Sequence, residues 1–176
     1  YSEGLICSSA CLAGEIPYYI WNDNMEKAEA ALQWYKKVFK DDFYLELMSH
    51  GLEKQRKVND TLRILSKKYD VKLIVTNDVH YIRQEDRTAH DILICINTNS
   101  DYDDEKRLRY SGEEYFKTYN EMLELFPEDA EALANTLEIA DKVEEYSILK
   151  DNVIVPVFDI PEGYEDENAY LRKLTY

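Results

Sequence analysis

The sequence predicts an α/β fold, and three observations carry that prediction. Apolar stretches of strand length alternate with amphipathic stretches of helical period, and strand, helix, strand, helix, strand is the rhythm of βαβ units with right-handed crossovers, in a barrel or an open sheet. The run Val71-Lys72-Leu73-Ile74-Val75 is nearly continuous in β-branched and apolar residues, the pattern of a strand buried on both faces of a parallel sheet. The chain of 176 residues, 45% hydrophobic and 32% charged, is long enough and apolar enough for one good core.

The elements follow in order. Gly4 to Cys7 reads as a strand, and a small-residue turn leads to a helix expected from about Leu12 to Trp21. Asp23-Asn24-Met25-Glu26 resembles a capping box with Asp23 as the cap, opening a helix whose apolar face is Met25, Ala28, Leu32, Tyr35 and Phe39. Phe43 to Met48 reads as a second strand. Gly51 separates it from a helix with Val58, Leu62, Leu65 and Tyr69 on one face, which feeds the buried strand at Val71. After His80, the residues Ala89, Ile92, Leu93 and Ile96 predict another amphipathic helix, and Asn97 to Lys106 reads as a polar surface loop. Helices follow at Glu121 to Phe126 and at Asp129 to Tyr146, the second with Leu133, Leu137, Ala140 and Val143 in register. Ser147 to Glu165 has no period and is broken by Pro156, Pro161 and Gly163, so a linker is expected before a last helix at Glu167 to Thr175.

Composition narrows the class of function. No run of about 18 apolar residues is present to span a bilayer, and Tyr1 to Ala10 lack the features of a signal peptide. Three cysteines build no disulfide framework and suit a reducing, cytoplasmic setting. A net charge of −15 repels phosphate backbones, so any DNA must be held mainly by another part of the protein. Tyr1 is not an initiator Met and the last helix runs into Tyr176 without a stop signal, so the chain is expected to be an excerpt.

Three residues stand out as candidate metal ligands. Thr76-Asn77-Asp78-Val79-His80 follows the buried strand, at the end where α/β folds build their sites. On an extended segment side chains two apart point the same way, so Asp78 and His80 can converge on zinc, manganese or iron, and a cluster of such ions can activate water against a phosphodiester. The alternative reading has Asp78 capping the next turn and His80 satisfied by a backbone carbonyl. Cys11 also follows a strand end, as a possible third ligand or as a small packed residue. His50, before the turn residue Gly51, reads either as a ligand or as a supporting residue behind one. Cys7 and Cys95 are assigned to the core and His90 to structure. The acidic run Asp101 to Glu105 lacks the spacing of a calcium loop, and the 15 tyrosines lack the interleaved basic residues of a base-stacking platform.

Gly4-Leu5-Ile6 with Ser9 to Pro17, Phe43 to Leu47 with His50-Gly51, Thr76 to Tyr81, Ala89-His90-Asp91, Leu133 to Thr136, and Pro156-Val157-Phe158 follow one another along the chain. Together these segments resemble the bacterial DNA polymerase III alpha subunits. The resemblance implies a PHP domain, here a partial distorted βα barrel with its N-terminal strands missing, followed by a helical segment and an extended linker. Its implied division is 1–110 for the C-terminal part of the PHP domain, 111–146 for a helical extension and 147–176 for a linker toward the polymerase palm. It carries Cys11, Asp78 and His80 over as ligands of a divalent metal, zinc or manganese, in a site that needs residues upstream of Tyr1. It also implies a parent that synthesises DNA on a template, and as partners the other holoenzyme subunits, the proofreading exonuclease subunit above all. A free-standing PHP phosphoesterase or 3′-to-5′ exonuclease is the alternative. The chain alone is expected to be inactive as a polymerase, and to self-associate over the edges that missing strands would leave bare.

Overall fold

In the computed structural model, which describes residues 2–147, 149 and 158–176, three parallel strands lie side by side in sequence order. They are β1 (Cys7–Ser8), β2 (Phe43–Leu47) and β3 (Leu73–Val75). Parallel neighbours need a crossover. The first is made by α1 (Glu15–Trp21) and α2 (Met25–Phe39), the second by α3 (Glu53–Tyr69). The register sets Cys7 beside Phe43 and Ser8 beside Tyr44, then Leu45, Glu46 and Leu47 beside Leu73, Ile74 and Val75. After β3 come α4 (Arg87–Thr98), α5 (Tyr119–Leu125), α6 (Ala130–Lys142) and α7 (Glu167–Thr175). The chain divides into two units, Tyr1–Val143 and Glu144–Tyr176.

The core of the first unit is built on β2. Phe43, Tyr44, Leu45 and Leu47 are all buried, so both faces of the strand are covered, as its apolar run requires. Around it pack Ile16 and Ile20 from α1, Ala28 and Leu32 from α2, and Val58, Leu62 and Leu65 from α3. Each of the Ile, Leu and Val side chains, fully buried, stabilises the fold by roughly 1.5–3 kcal/mol against leaving it exposed. On the other side α5 and α6 bring Met122, Phe126 and Leu133, and Asn135 on α6 donates to the Leu73 carbonyl at 2.8 Å. α6 thereby docks on β3 through a polar tie as well as an apolar one.

Several expected boundaries move, each for a physical reason. The first strand is shorter and later than Gly4 to Cys7, because a turn closes from Leu5 to Ser2 with Gly4 at φ +74. α1 begins at Glu15 rather than Leu12, since Cys11 to Gly14 is a turn, and a Cβ on Gly14 would stand 2.2 Å from the Ser9 carbonyl oxygen. The α2 cap is Asn24, whose side chain accepts from the Lys27 amide at 3.2 Å; Asp23 has φ +57 and pairs with Lys57 at 2.6 Å.

α4 forms where expected but turns differently. It buries Ile94 and Cys95, while Ile92, Leu93 and Ile96 are 48%, 52% and 70% exposed. α6 likewise faces inward with Ala132, Leu133 and Asn135, so Leu137 and Val143 of the expected stripe are exposed, and it stops at Lys142 rather than Tyr146. Cys95 is buried as assigned; Cys7 is only partly buried against the core. In the second unit α7 spans the expected residues, capped by Asp166, which accepts from Ala169 at 2.7 Å, and Tyr170 stacks on Phe158 at 5.7 Å. The expected break at Pro156 lies outside the described residues. Among the described residues no helix is long and apolar enough to cross a membrane.

Candidate functional site

The C-terminal ends of the three strands are tied together by one carboxylate. Glu46, the one incompletely buried residue of β2, accepts from Ser8 Oγ at 2.5 Å through one oxygen and from Thr76 Oγ1 at 2.5 Å through the other. Its own amide donates to Ser9 Oγ at 2.9 Å. Backbone bonds from Ser9 to Tyr44 and from Thr76 to Leu47 extend the sheet past the last paired residues. Glu46 was not among the residues the sequence pointed to, and its only signal was an acid inside an apolar strand.

His50 closes the next layer. Its backbone amide donates to Gln55 Oε1 at 2.7 Å, which fixes the Gln55 amide so that Nε2 donates to His50 Nδ1 at 2.8 Å. The ring proton then sits on Nε2, which donates to the Asn77 carbonyl at 3.1 Å. With both nitrogens engaged and the residue buried, His50 is a strut between the end of β2 and the segment after β3. Asn77 continues the line, its side chain donating to the Tyr115 carbonyl at 2.6 Å.

This strut presents Asp78 and His80. Asp78 has φ +48, so the segment is a left-handed turn rather than the extended strand expected. The two side chains still meet, with His80 Nε2 3.4 Å from Asp78 Oδ1. The backbone amide of His80 donates to the Glu114 carbonyl at 2.8 Å, and its ring packs on Tyr110 at 4.6 Å and on His90 at 5.6 Å. Cys11 is exposed, on the β1 side of the sheet end, where it shares a narrow crevice with Glu46, Met48 and Gln55. Among the described residues no group of three or more His, Cys, Asp or Glu side chains comes together as a metal site. A zinc site takes at least three protein ligands. Asp78 and His80 supply two, so the described residues alone do not fit the metal, and no chemical step is derived through it.

Around the pair, a long polar segment is fastened to α4. Arg107, in the loop after α4, makes a two-pronged pair with Asp91 at 2.6 and 2.7 Å, which holds the Asp91 carboxyl below its ordinary range. Glu114 accepts from Ser111 and from the Gly112 amide, and those bonds outweigh burial to lower its pKa. Tyr115 donates to Glu121; burial first, and that bond second, push its phenol up to about 12. Neither Arg107 nor Glu114 was picked out by sequence reasoning, because both lie in a stretch without period.

Residues 1–50 match the PHP domain family. Over 99% of its length the chain is 44% identical to the DNA polymerase III subunit alpha of Borreliella burgdorferi, covering 15% of that protein. It is 44% identical to the subunit alpha of Campylobacter jejuni over 99% of the chain and 16% of the relative. With that of Thermus aquaticus it shares 38% identity over 100% of the chain and 15% of the relative. The chain thus spans about 15% of the length of these relatives.

Proposed function

This chain is homologous along its whole length to one segment of DNA polymerase III subunit alpha, and from that relationship we propose that it works within template-directed DNA synthesis. The observation that carries the reading is the 44% identity over 99% of the chain. In this reading the nucleotidyl transfer belongs to other parts of the longer protein, and this segment is the scaffold beside them. The scaffold is a portion of a distorted βα barrel of the PHP type, which the parallel β1-β2-β3 order and the PHP match over residues 1–50 support.

Asp78 and His80 act there as a pair of ligands for a divalent metal, zinc or manganese, with Cys11 as a third, and residues outside this chain complete the set. Support comes from the 3.4 Å approach of the pair and from the strut of His50 and Asn77 that presents it at a strand end. The net charge of −15 favours a basic protein partner, such as the proofreading exonuclease subunit, over direct contact with DNA, which other domains would hold. The setting is cytoplasmic. The second reading, a stand-alone metal-dependent phosphoesterase or 3′-to-5′ exonuclease, is favoured by the same Asp78–His80 pair.

Full-length protein separates the two. Primer extension and elemental metal content are measured for the unchanged protein and for Asp78→Ala with His80→Ala. The polymerase reading expects extension to survive the double substitution while metal falls below one equivalent. If the unchanged protein cleaves phosphodiesters but never extends a primer, the second reading replaces it. If metal content is the same in both proteins, Asp78 and His80 are not ligands.

A further inference from the structure

The open face of α4 carries almost no charge. Between Arg87 and Thr98 the charged residues are Arg87 and Asp91, and Asp91 is already held in the two-pronged pair with Arg107. Ala89, Ile92, Leu93 and Ile96 recur at helical spacing along one side, and all four are exposed. α3 meets solvent differently, with Lys54, Arg56, Lys57, Asp60, Lys67 and Lys68 exposed along it. A helix that stays wet carries such charges, whereas a contiguous apolar face marks a surface that another element covers.

That face borders an open groove of about 710 Å³, lined by Ile92, Cys95 and Ile96 from α4 and by Asn99, Asp101 and Tyr102 from the loop beyond it. The groove is built in advance. The Ser100 amide donates to the Cys95 carbonyl at 3.0 Å, which turns the chain back at the end of α4. Arg107 then holds the loop side: its Nε donates to the Tyr102 carbonyl at 2.9 Å, and its guanidinium lies over the Tyr102 ring at 4.9 Å while pairing with Asp91. A groove fixed in this way loses little freedom when it receives a ligand. Its rim is acidic. Asp101 is the one charged residue of the lining, and Asp103, Asp104 and Glu105 follow it, all exposed. Among the described residues none of these four carboxylates has a cation within ion-pair distance, and only that of Asp104 accepts a hydrogen bond, from the Lys106 amide. Of the neighbouring cations, Arg107 is committed to Asp91, and Arg109 is turned to the backbone carbonyls of Tyr102 and Asp104.

We propose that this groove docks an amphipathic helix of a partner protein, apolar on one face and basic beside it. A helix laid in a groove anchors itself through side chains at i, i+3, i+4 and i+7, and Ala89, Ile92, Leu93 and Ile96 offer the same period to meet them. The 12 residues of α4 set the length of the contact. At 1.5 Å per residue that is about 18 Å, or roughly three turns of the incoming helix. Lysine or arginine beside its apolar face meets the unpaired carboxylates of Asp101, Asp103, Asp104 and Glu105, and an acidic helix is repelled by them. The inference rests on the basic-partner reading above for the sign of the charge, and adds to it a surface and a shape.

The test follows the fluorescence anisotropy of a labelled helical peptide of about 14 residues, leucine on one face and lysine on the other, as full-length protein is added. Saturable binding is expected, weakened about tenfold or more by Ile92→Gln with Ile96→Gln, exposed positions at which glutamine is a good helix former. Ile64→Gln, at a similarly exposed isoleucine on α3, leaves it unchanged. Asp101→Asn with Asp103→Asn weakens binding and flattens its salt dependence, whereas Glu144→Gln with Glu145→Gln, exposed acids of the second unit, does neither. A peptide with glutamate in place of lysine stays free. If the lysine peptide binds but Ile92→Gln with Ile96→Gln weakens it no more than Ile64→Gln does, the surface is wrong; the inference falls and the basic-partner reading stands. Equal binding of the glutamate peptide overturns both together. Absence of saturable binding to the full-length protein also overturns the inference, because the face is then closed to a partner. Primer extension, which tests the polymerase reading, is independent of all these outcomes.

Discussion

α3 and α4 carry apolar stripes that are hard to tell apart in sequence, and the fold treats them in opposite ways. Val58, Leu62 and Leu65 of α3 lie at or below 3% exposure against β2, whereas Ile92, Leu93 and Ile96 of α4 are about half exposed or more. α4 is held by other means. Arg107 clamps Asp91, Ile94 and Cys95 face inward, and the loop beyond is fastened by Glu114 and Asn77. The contrast teaches that a helical period reports a face able to bury apolar area, not that a partner for it lies within the same compact unit. It also divides the unit into a part stabilised by burial and a part stabilised by specific polar contacts.

The largest effect expected from that division belongs to α3. Leu62 is fully buried at the centre of the core, so Leu62→Ala removes apolar contacts and leaves a cavity. A loss of about 2–5 kcal/mol is expected in equilibrium denaturant unfolding. A loss under about 1 kcal/mol would mean that α3 is not packed as described, and the comparison with α4 would lose its buried side.

A pH experiment sharpens the polar side. Glu138 on α6 accepts from Lys72 at 2.5 Å and from the Tyr44 hydroxyl at 2.9 Å, tying the helix to β2 and to the chain entering β3. The Lys72 bond first and the Tyr44 bond second hold the Glu138 carboxyl down to about 2, from an ordinary value of 4.5. Its folded pKa lies below the unfolded one. Its contribution is therefore complete above about pH 4.5 and is lost as pH falls toward about 2. Thermal unfolding between those limits should fall less steeply in Glu138→Gln than in the unchanged protein, since the variant has no proton to take up there. Parallel pH profiles would show that the Glu138 charge contributes nothing, leaving α6 held by its apolar face and the Asn135 bond to Leu73.

The same division explains how much could be read in advance. The three strands and the crossovers between them were legible because burial imposes period, and because a strand covered on both faces must be apolar throughout. The Asp78–His80 pair was legible as a short motif at a strand end, though its approach comes through a left-handed turn at Asp78 and not through strand alternation. His50 stayed open between ligand and support, because the answer depends on the orientation of the Gln55 amide, which spacing does not encode. Glu46, Arg107 and Glu114 left almost no trace. Their partners are set by how loops return to the sheet, and a polar residue in a loop looks the same whether it is solvated or clamped.

The smallest effect, and the most direct challenge to the contrast, belongs to Ile96. At 70% exposure it has little to lose on truncation, and alanine is the better helix former, by a few tenths of a kcal/mol. Ile96→Ala is therefore expected to leave stability within about 0.5 kcal/mol of the unchanged protein in the same denaturant titration that registers Leu62→Ala. Near-neutrality would mean that the α4 stripe contributes almost nothing within this unit and that its polar clamps carry the helix. A loss above about 1 kcal/mol would mean the stripe is covered after all, and α3 and α4 would then obey the same rule.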